Sequence, residues 1–126
     1  MIWIVGEEVI DRKSRFVARC HSLEHEKDIP TLLTELVNSN KKISKATHPH
    51  ILAWRLQNKN GNIQQGSQDG GEKGGGPVLL SLLEKNNLTG ILLVVTRWHG
   101  GTQLGSARFR DISKAALNVL KLGKYI

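Results

Sequence analysis

Asp69 and Glu72 stand three residues apart in "QDGGEKGGGPVLL", and two carboxylates inside a glycine-rich run are the part of this 126-residue chain best suited to chemistry. Two acids can divide general-acid and general-base roles if both reach one substrate, with His48 or His99 as a further proton carrier. The same acids have a structural use, because a carboxylate beside a helix start accepts from unpaired backbone N–H groups and favours the positive end of the dipole. A second glycine run, "HGGTQLG", follows Arg97 and Trp98, and both runs precede predicted helices whose N–H groups suit an anion. Neither run is a nucleotide loop. Gly76 and Pro77 occupy the places where a phosphate-binding loop needs Lys and Ser or Thr, and Ser106 and Ala107 occupy them after Gly105. The dinucleotide spacing G-x-G-x-x-G is also missing from both. Tight corners are the reading that remains: Gly100, Gly101 and Gly105 permit positive φ or close approach of another backbone.

The other reactive residue types point to less. His48 and His50 lack a third metal ligand at a defined spacing, so no metal or cofactor is expected. Cys20 has no nucleophile motif, and its strand parity turns it toward the core. Trp98, between Arg97 and the glycines, can either pack under the turn or stack on a nucleic-acid base.

These residues need elements to hold them. From Ser14 to His21 the chain alternates, with Phe16, Ala18 and Cys20 toward a core and Lys13, Arg15, Arg19 and His21 forming a basic stripe on the other face of a strand. "DIPTLLTELVNSN" predicts a helix with Pro30 in its first turn and a Leu32, Leu33, Leu36, Val37 stripe. "KKISKATHPH" reads as a basic loop carrying Lys41, Lys42 and Lys45 into a strand at "ILAWRLQ", and "NKNGNIQQG" reads as a hairpin turning at Asn60-Gly61. A helix from Pro77, an apolar strand "ILLVV" and a last helix after Ser106, with Phe109, Ile112, Ala116, Val119 and Leu120 as its buried stripe, complete a two-layer α/β domain.

The formal charge of +7 favours an anionic partner, whether RNA, a ribosomal surface or an acidic protein patch. A lone cysteine excludes an internal disulfide, and the opening "MIWIV" is too short for a secretory core or a membrane span, so a cytoplasmic protein with no membrane role is expected.

Four strings, "DRKSRFVA", "KKISKATHPHILAWR", "QDGGEKGGGPVLL" and "VVTRWHGGTQLGSARF", occur in an order and spacing that resemble the IMPACT family, related to the bacterial YigZ proteins. The resemblance covers roughly Asp11 through Leu120 and implies one ancient domain over residues 1–126, without the RWD domain of the eukaryotic regulators. It implies a two-layer α/β sandwich, a mixed β-sheet with helices on one face, like the second domain of a small-subunit ribosomal protein. It also implies a noncatalytic role in translational control, through binding the ribosome-associated activator of the kinase that phosphorylates initiation factor 2. RNA binding is the alternative, and an enzyme built on Asp69, Glu72 and His48 stands behind both. Lys13, Arg15, Arg19, Lys41, Lys42, Lys45, His48, Asp69, Glu72, Arg97, Trp98, Gly100, Gly101 and Arg108 are the candidate partner or anion contacts. One departure concerns the acids: the family's D-D-G-E run has Gly70 in place of its middle aspartate. If the glycine loop and the "RWHGG" turn meet, Asp69 or Glu72 would pair with Arg97.

Overall fold

The strand Ile91–Trp98 is apolar over its first five residues, and such a segment is stable only where both of its faces and both of its edges are covered. The computed structural model, which describes residues 2–126, places it at the middle of a sheet. Among the described residues the chain forms β1 (Ile4–Val5), β2 (Val9–Asp11), β3 (Ser14–Ser22), a 3₁₀ turn at Glu26–Asp28, α1 (Ile29–Ser39), α2 (Lys41–Ser44), β4 (His48–Gln57), β5 (Ile63–Gln68), α3 (Gly75–Lys85), β6 (Ile91–Trp98) and α4 (Ala107–Leu122). The sheet order is β1-β3-β6-β4-β5, with β2 also paired to β3. None of the helices among the described residues is long and apolar enough to cross a membrane.

The expected α/β architecture is present, with helices α3 and α4 layered on one face of the sheet. There Phe16, Ala18 and Cys20 of β3, Ile51 and Ala53 of β4, and Leu93 and Val95 of β6 pack against Leu79 and Leu83 of α3 and Ile112, Ala116 and Val119 of α4. Two features go beyond the expectation. Every ladder is antiparallel: β3 and β4 run in the same direction, but β6 lies between them and pairs with both. The opposite face is also covered, by Ile29, Leu32 and Leu36 of α1 and Ile43 of α2 against Leu52, Leu92 and Val94.

That second cover corrects the basic stripe expected on β3. Arg15 and Lys13 are exposed at the strand's beginning, but Arg19 is 7% exposed and His21 is buried, because both share a face with Val94 and Leu92 of β6. Arg19 is therefore not a surface contact. The basic loop expected at 41–47 begins instead as α2, since the Asn40 side chain accepts from the Lys42 N–H at 3.1 Å and Ile43 is fully buried. Lys41, Lys42 and Lys45 remain exposed. The β4–β5 hairpin turns through Asn58, whose Oδ1 accepts from the N–H groups of Asn60 and Asn62, so residues 58–62 close as a longer loop rather than on Asn60-Gly61 alone. Phe109 is half-buried, lying over Gly74 rather than in the fully buried stripe of α4.

The central position of β6 has a measurable consequence. Leu93→Ala, in a fully buried site, is expected to lower unfolding free energy by about 2–5 kcal/mol. Leu122→Ala, at a residue 62% exposed, should stay within about 0.5 kcal/mol of the parent in the same denaturant titrations.

Candidate functional site

The hairpin joining β2 to β3 starts the site. Asp11 pairs with Ser14, which leaves Arg12 and Lys13 as a two-residue turn with φ of 46° and 70°. Positive φ at both positions is the backbone of a type I′ turn, which matches the twist of a hairpin but is costly for side chains larger than glycine. The turn is clasped from the other side. A Cβ on Gly100 would stand 2.2 Å from the Lys13 carbonyl carbon, so only glycine lets the "RWHGG" turn approach so closely. The Gly100 N–H donates to Ser14 Oγ at 3.1 Å.

Strand parity then sends the key cation inward. Arg97 is paired to Phe16 on one side and His48 on the other, so its side chain points into the α3/α4 layer at the end of the sheet. It is 3% exposed, and its guanidinium donates to Glu72 Oε2 at 2.6 Å and to Ser14 Oγ at 3.2 Å while lying 5.2 Å over the Phe16 ring. Glu72, 5% exposed, also has Arg108 Nε at 3.1 Å and His48 Nε2 at 3.6 Å. One buried carboxylate thus joins the loop before α3 to β6, β4 and α4. Charge-assisted contacts of this kind are strong when dry, and losing one partner leaves the other charge buried.

Asp69 has a different task. Its two oxygens accept from the N–H groups of Gly74 at 3.1 Å and Gly76 at 2.9 Å, so the anion site at the start of α3 is filled from within the chain. The expected contact between the two glycine loops forms, and its carboxylate is Glu72, not Asp69. At Gly70, φ is +58° and a Cβ would meet the His50 carbonyl oxygen at 2.2 Å, so this backbone has no room for the aspartate found there in the family's usual run.

The remaining candidates divide by exposure. Trp98 donates from Nε1 to the Lys42 carbonyl at 3.1 Å, tying α2 to the end of β6, and Arg15 lies 5.2 Å over its ring while donating to Glu8 at 2.7 Å. Packing therefore occupies one face of the indole. The His99 N–H donates to Thr47 Oγ1 at 3.0 Å, and His99 Nδ1 accepts from the Gly101 N–H at 2.8 Å. Gly101 and Lys13 are exposed, and Arg108 is partly so, stacked 4.7 Å from Phe109. Burial raises the Cys20 thiol to about 11, which leaves it protonated and unreactive. No group of three or more His, Cys, Asp or Glu side chains suited to a metal occurs among the described residues.

Two site residues were absent from the candidates. Ser14 is fully buried and shared by Arg97 and Gly100; its parity with Phe16 and Ala18, a serine in an apolar row, was the available signal. Asp111 is the other. It is 6% exposed, and its position one helical turn from the buried Ala115 marked it as inward-facing. Burial, followed by the neighbouring Asp11, raises its pKa to about 6, whereas the contact with Asp111 lowers that of Asp11.

The family model described as "Impact N-terminal domain" matches residues 12–120, which takes in the Arg12-Lys13 turn, the loop before α3, the "RWHGG" turn and the strands between them. The chain belongs to the IMPACT family. Among its relatives, the IMPACT family member YDL177C of Saccharomyces cerevisiae is 42% identical, over 99% of this chain and 94% of that protein. Protein IMPACT of Homo sapiens is 38% identical over 91% of this chain but 36% of its own length, so the IMPACT similarity there concerns about a third of the longer protein. The structure of the two-domain translational regulator Yih1 aligns with a TM-score of 0.65 and 29% identity, over 95% of this chain and 46% of that one. A hypothetical protein of 22% identity aligns with a TM-score of 0.78 and shares the fold.

The IMPACT site generates two predictions. Glu72→Gln and Arg97→Met are each expected to destabilise by about 3–5 kcal/mol, and the double variant by clearly less than their sum; additive losses in a denaturant cycle would reject the direct pair. The Asp111 carboxyl, with a folded pKa near 6 against an ordinary 3.8, contributes stability that is complete below the ordinary value and lost as pH rises through about 6. Asp111→Asn should flatten that decline and leave the protein at least as stable as the parent at neutral pH, as read from thermal midpoints across pH 4 to pH 7.

Proposed function

We propose that this chain is a noncatalytic binding module of translational control, acting in the cytoplasm as one unit through a ribosome-associated protein partner. The observation that carries the reading is the commitment of its acids: Asp69 is spent on the α3 N-terminus and Glu72 on Arg97 and Arg108, leaving neither free to act on a substrate. What stays at the surface is cationic, with Arg12 and Lys13 on a fixed turn and Lys41, Lys42 and Lys45 around α2. Membership of the IMPACT family and the likeness to the translational regulator Yih1 support the same direction. In its finer form the partner is the activator of the kinase that phosphorylates initiation factor 2, and occupying that activator restrains the kinase.

The basic surface also supports RNA as the partner, and salt separates the two readings. Binding to the purified activator, to ribosomes and to random-sequence RNA is measured across a salt series. Saturable binding to activator or ribosomes that survives at salt where RNA has dissociated is the expected result. A steep salt-dependent affinity for RNA alone, reduced by charge reversal at Lys41, Lys42 and Lys45, would replace this reading with nucleic-acid binding.

A further inference from the structure

The two edges of the sheet are built in opposite ways. On the β3 side the edge consists of β1 with two residues and β2 with three, separated by Gly6, Glu7 and Glu8. Short strands, a break and charged side chains are the usual means of keeping an edge from pairing with another chain. On the other side β5 carries none of them. Its six residues, "IQQGSQ", include no charge and no proline, and they pair with β4 in unbroken register from Gln57↔Ile63 to Leu52↔Gln68. The outer backbone groups of β5 have no partner strand among the described residues.

The side chains around this edge specify what would fit. Gly66 is paired to Trp54, and a Cβ at Gly66 would lie 2.4 Å from the indole ring, so Trp54 fills the place of a side chain on β5. A strand added beyond β5 would set its own side chain at ordinary cross-strand spacing from that indole, where an aromatic or aliphatic group is favoured. Gln64, Ser67 and Gln68 offer neutral hydrogen-bonding groups along the strand, whereas the Gln65 amide is already engaged, accepting from Arg55 Nε at 3.0 Å and donating to Glu84 of α3 at 3.4 Å. At the Ile63 end the charges are mixed, since Lys59 shares a cleft with Glu24, Glu26 and Lys27. At the Gln68 end the loop leaving β5 exposes Lys73, which makes no ion pair among the described residues.

We propose that β5 is a docking edge for an extended peptide segment of a partner protein, which adds a seventh strand with an uncharged core, an apolar residue opposite Gly66 and an acidic residue beside Lys73. Main-chain hydrogen bonds supply the affinity, and Trp54 and Lys73 set the register and direction. The inference does not depend on the proposed role in translation, because it concerns how a partner is held and not which partner it is.

Three ten-residue peptides of alternating threonine and valine with a central phenylalanine test it: one uncharged, one with an aspartate at its N-terminal end, one with the aspartate at its C-terminal end. Hydrogen exchange of the β5 amides and peptide affinity are read on the full chain and on Lys73→Glu, a surface change outside the buried network. The expected result is slowed exchange at β5 with one aspartate peptide binding best, that preference falling roughly fivefold in Lys73→Glu. Which peptide wins gives the direction of the added strand. Unchanged exchange with all three peptides overturns the proposal, as does equal binding of all three. Protection of β5 without peptide, together with a doubled mass in solution, would assign the edge to a second copy of the chain and overturn it as well.

Discussion

A carboxylate withdrawn from water is stable only among donors that stay in place, and Glu72 is the point at which this requirement organises the molecule. Its 2.6 Å contact to Arg97 fixes the loop before α3 against the central strand, and Arg108 carries the same charge to α4. Arg97 in turn needs Ser14, which needs the type I′ turn of Arg12 and Lys13 to bring it into the core, and that turn admits Gly100 only because no side chain stands there. Removing the carboxylate would leave two guanidinium groups beside an apolar layer with no counter-charge. The cost of such groups, and not the strength of one hydrogen bond, makes the arrangement specific.

The same chemistry shows how the two acids of a run that resembles an acid–base pair are used within the fold. General acid–base work needs a carboxylate that can meet a substrate and change its protonation there. Asp69 lies against backbone N–H groups and Glu72 between arginines, so both carboxylates are occupied by contacts within the fold. Gly70 belongs to this logic: its left-handed backbone beside the His50 carbonyl lets the loop turn sharply enough for Asp69 to reach the amides of Gly74 and Gly76.

Much of this was legible in sequence. The periodicity of α1 and α4, the apolar run of β6 and the alternation of β3 are local patterns, and each element followed from one of them. The meeting of the two glycine loops was legible too, since one leaves a central strand and the other enters a helix beside it. The choice between Asp69 and Glu72 was not, because it depends on the path of a glycine-rich loop that periodicity does not describe. Arg19 was misread for a related reason: alternation distinguishes two faces but does not tell which is open, and α1 covers the second. The four residues of α2 are too few to show a helical period, and their cap, Asn40, read as part of a loop.

Ser14 carries one more consequence. Its hydroxyl accepts from Gly100 and from Arg97, and it sits at the foot of the Arg12-Lys13 turn, so two segments far apart in the chain, this turn and the "RWHGG" turn, share a single buried atom. Loops linked in this way open together or not at all. Their fluctuations are those of one cooperative unit, and contact with either of them from outside lowers the local unfolding of both. The distance between first contact and response is then measured in shared hydrogen bonds, not in residues along the chain.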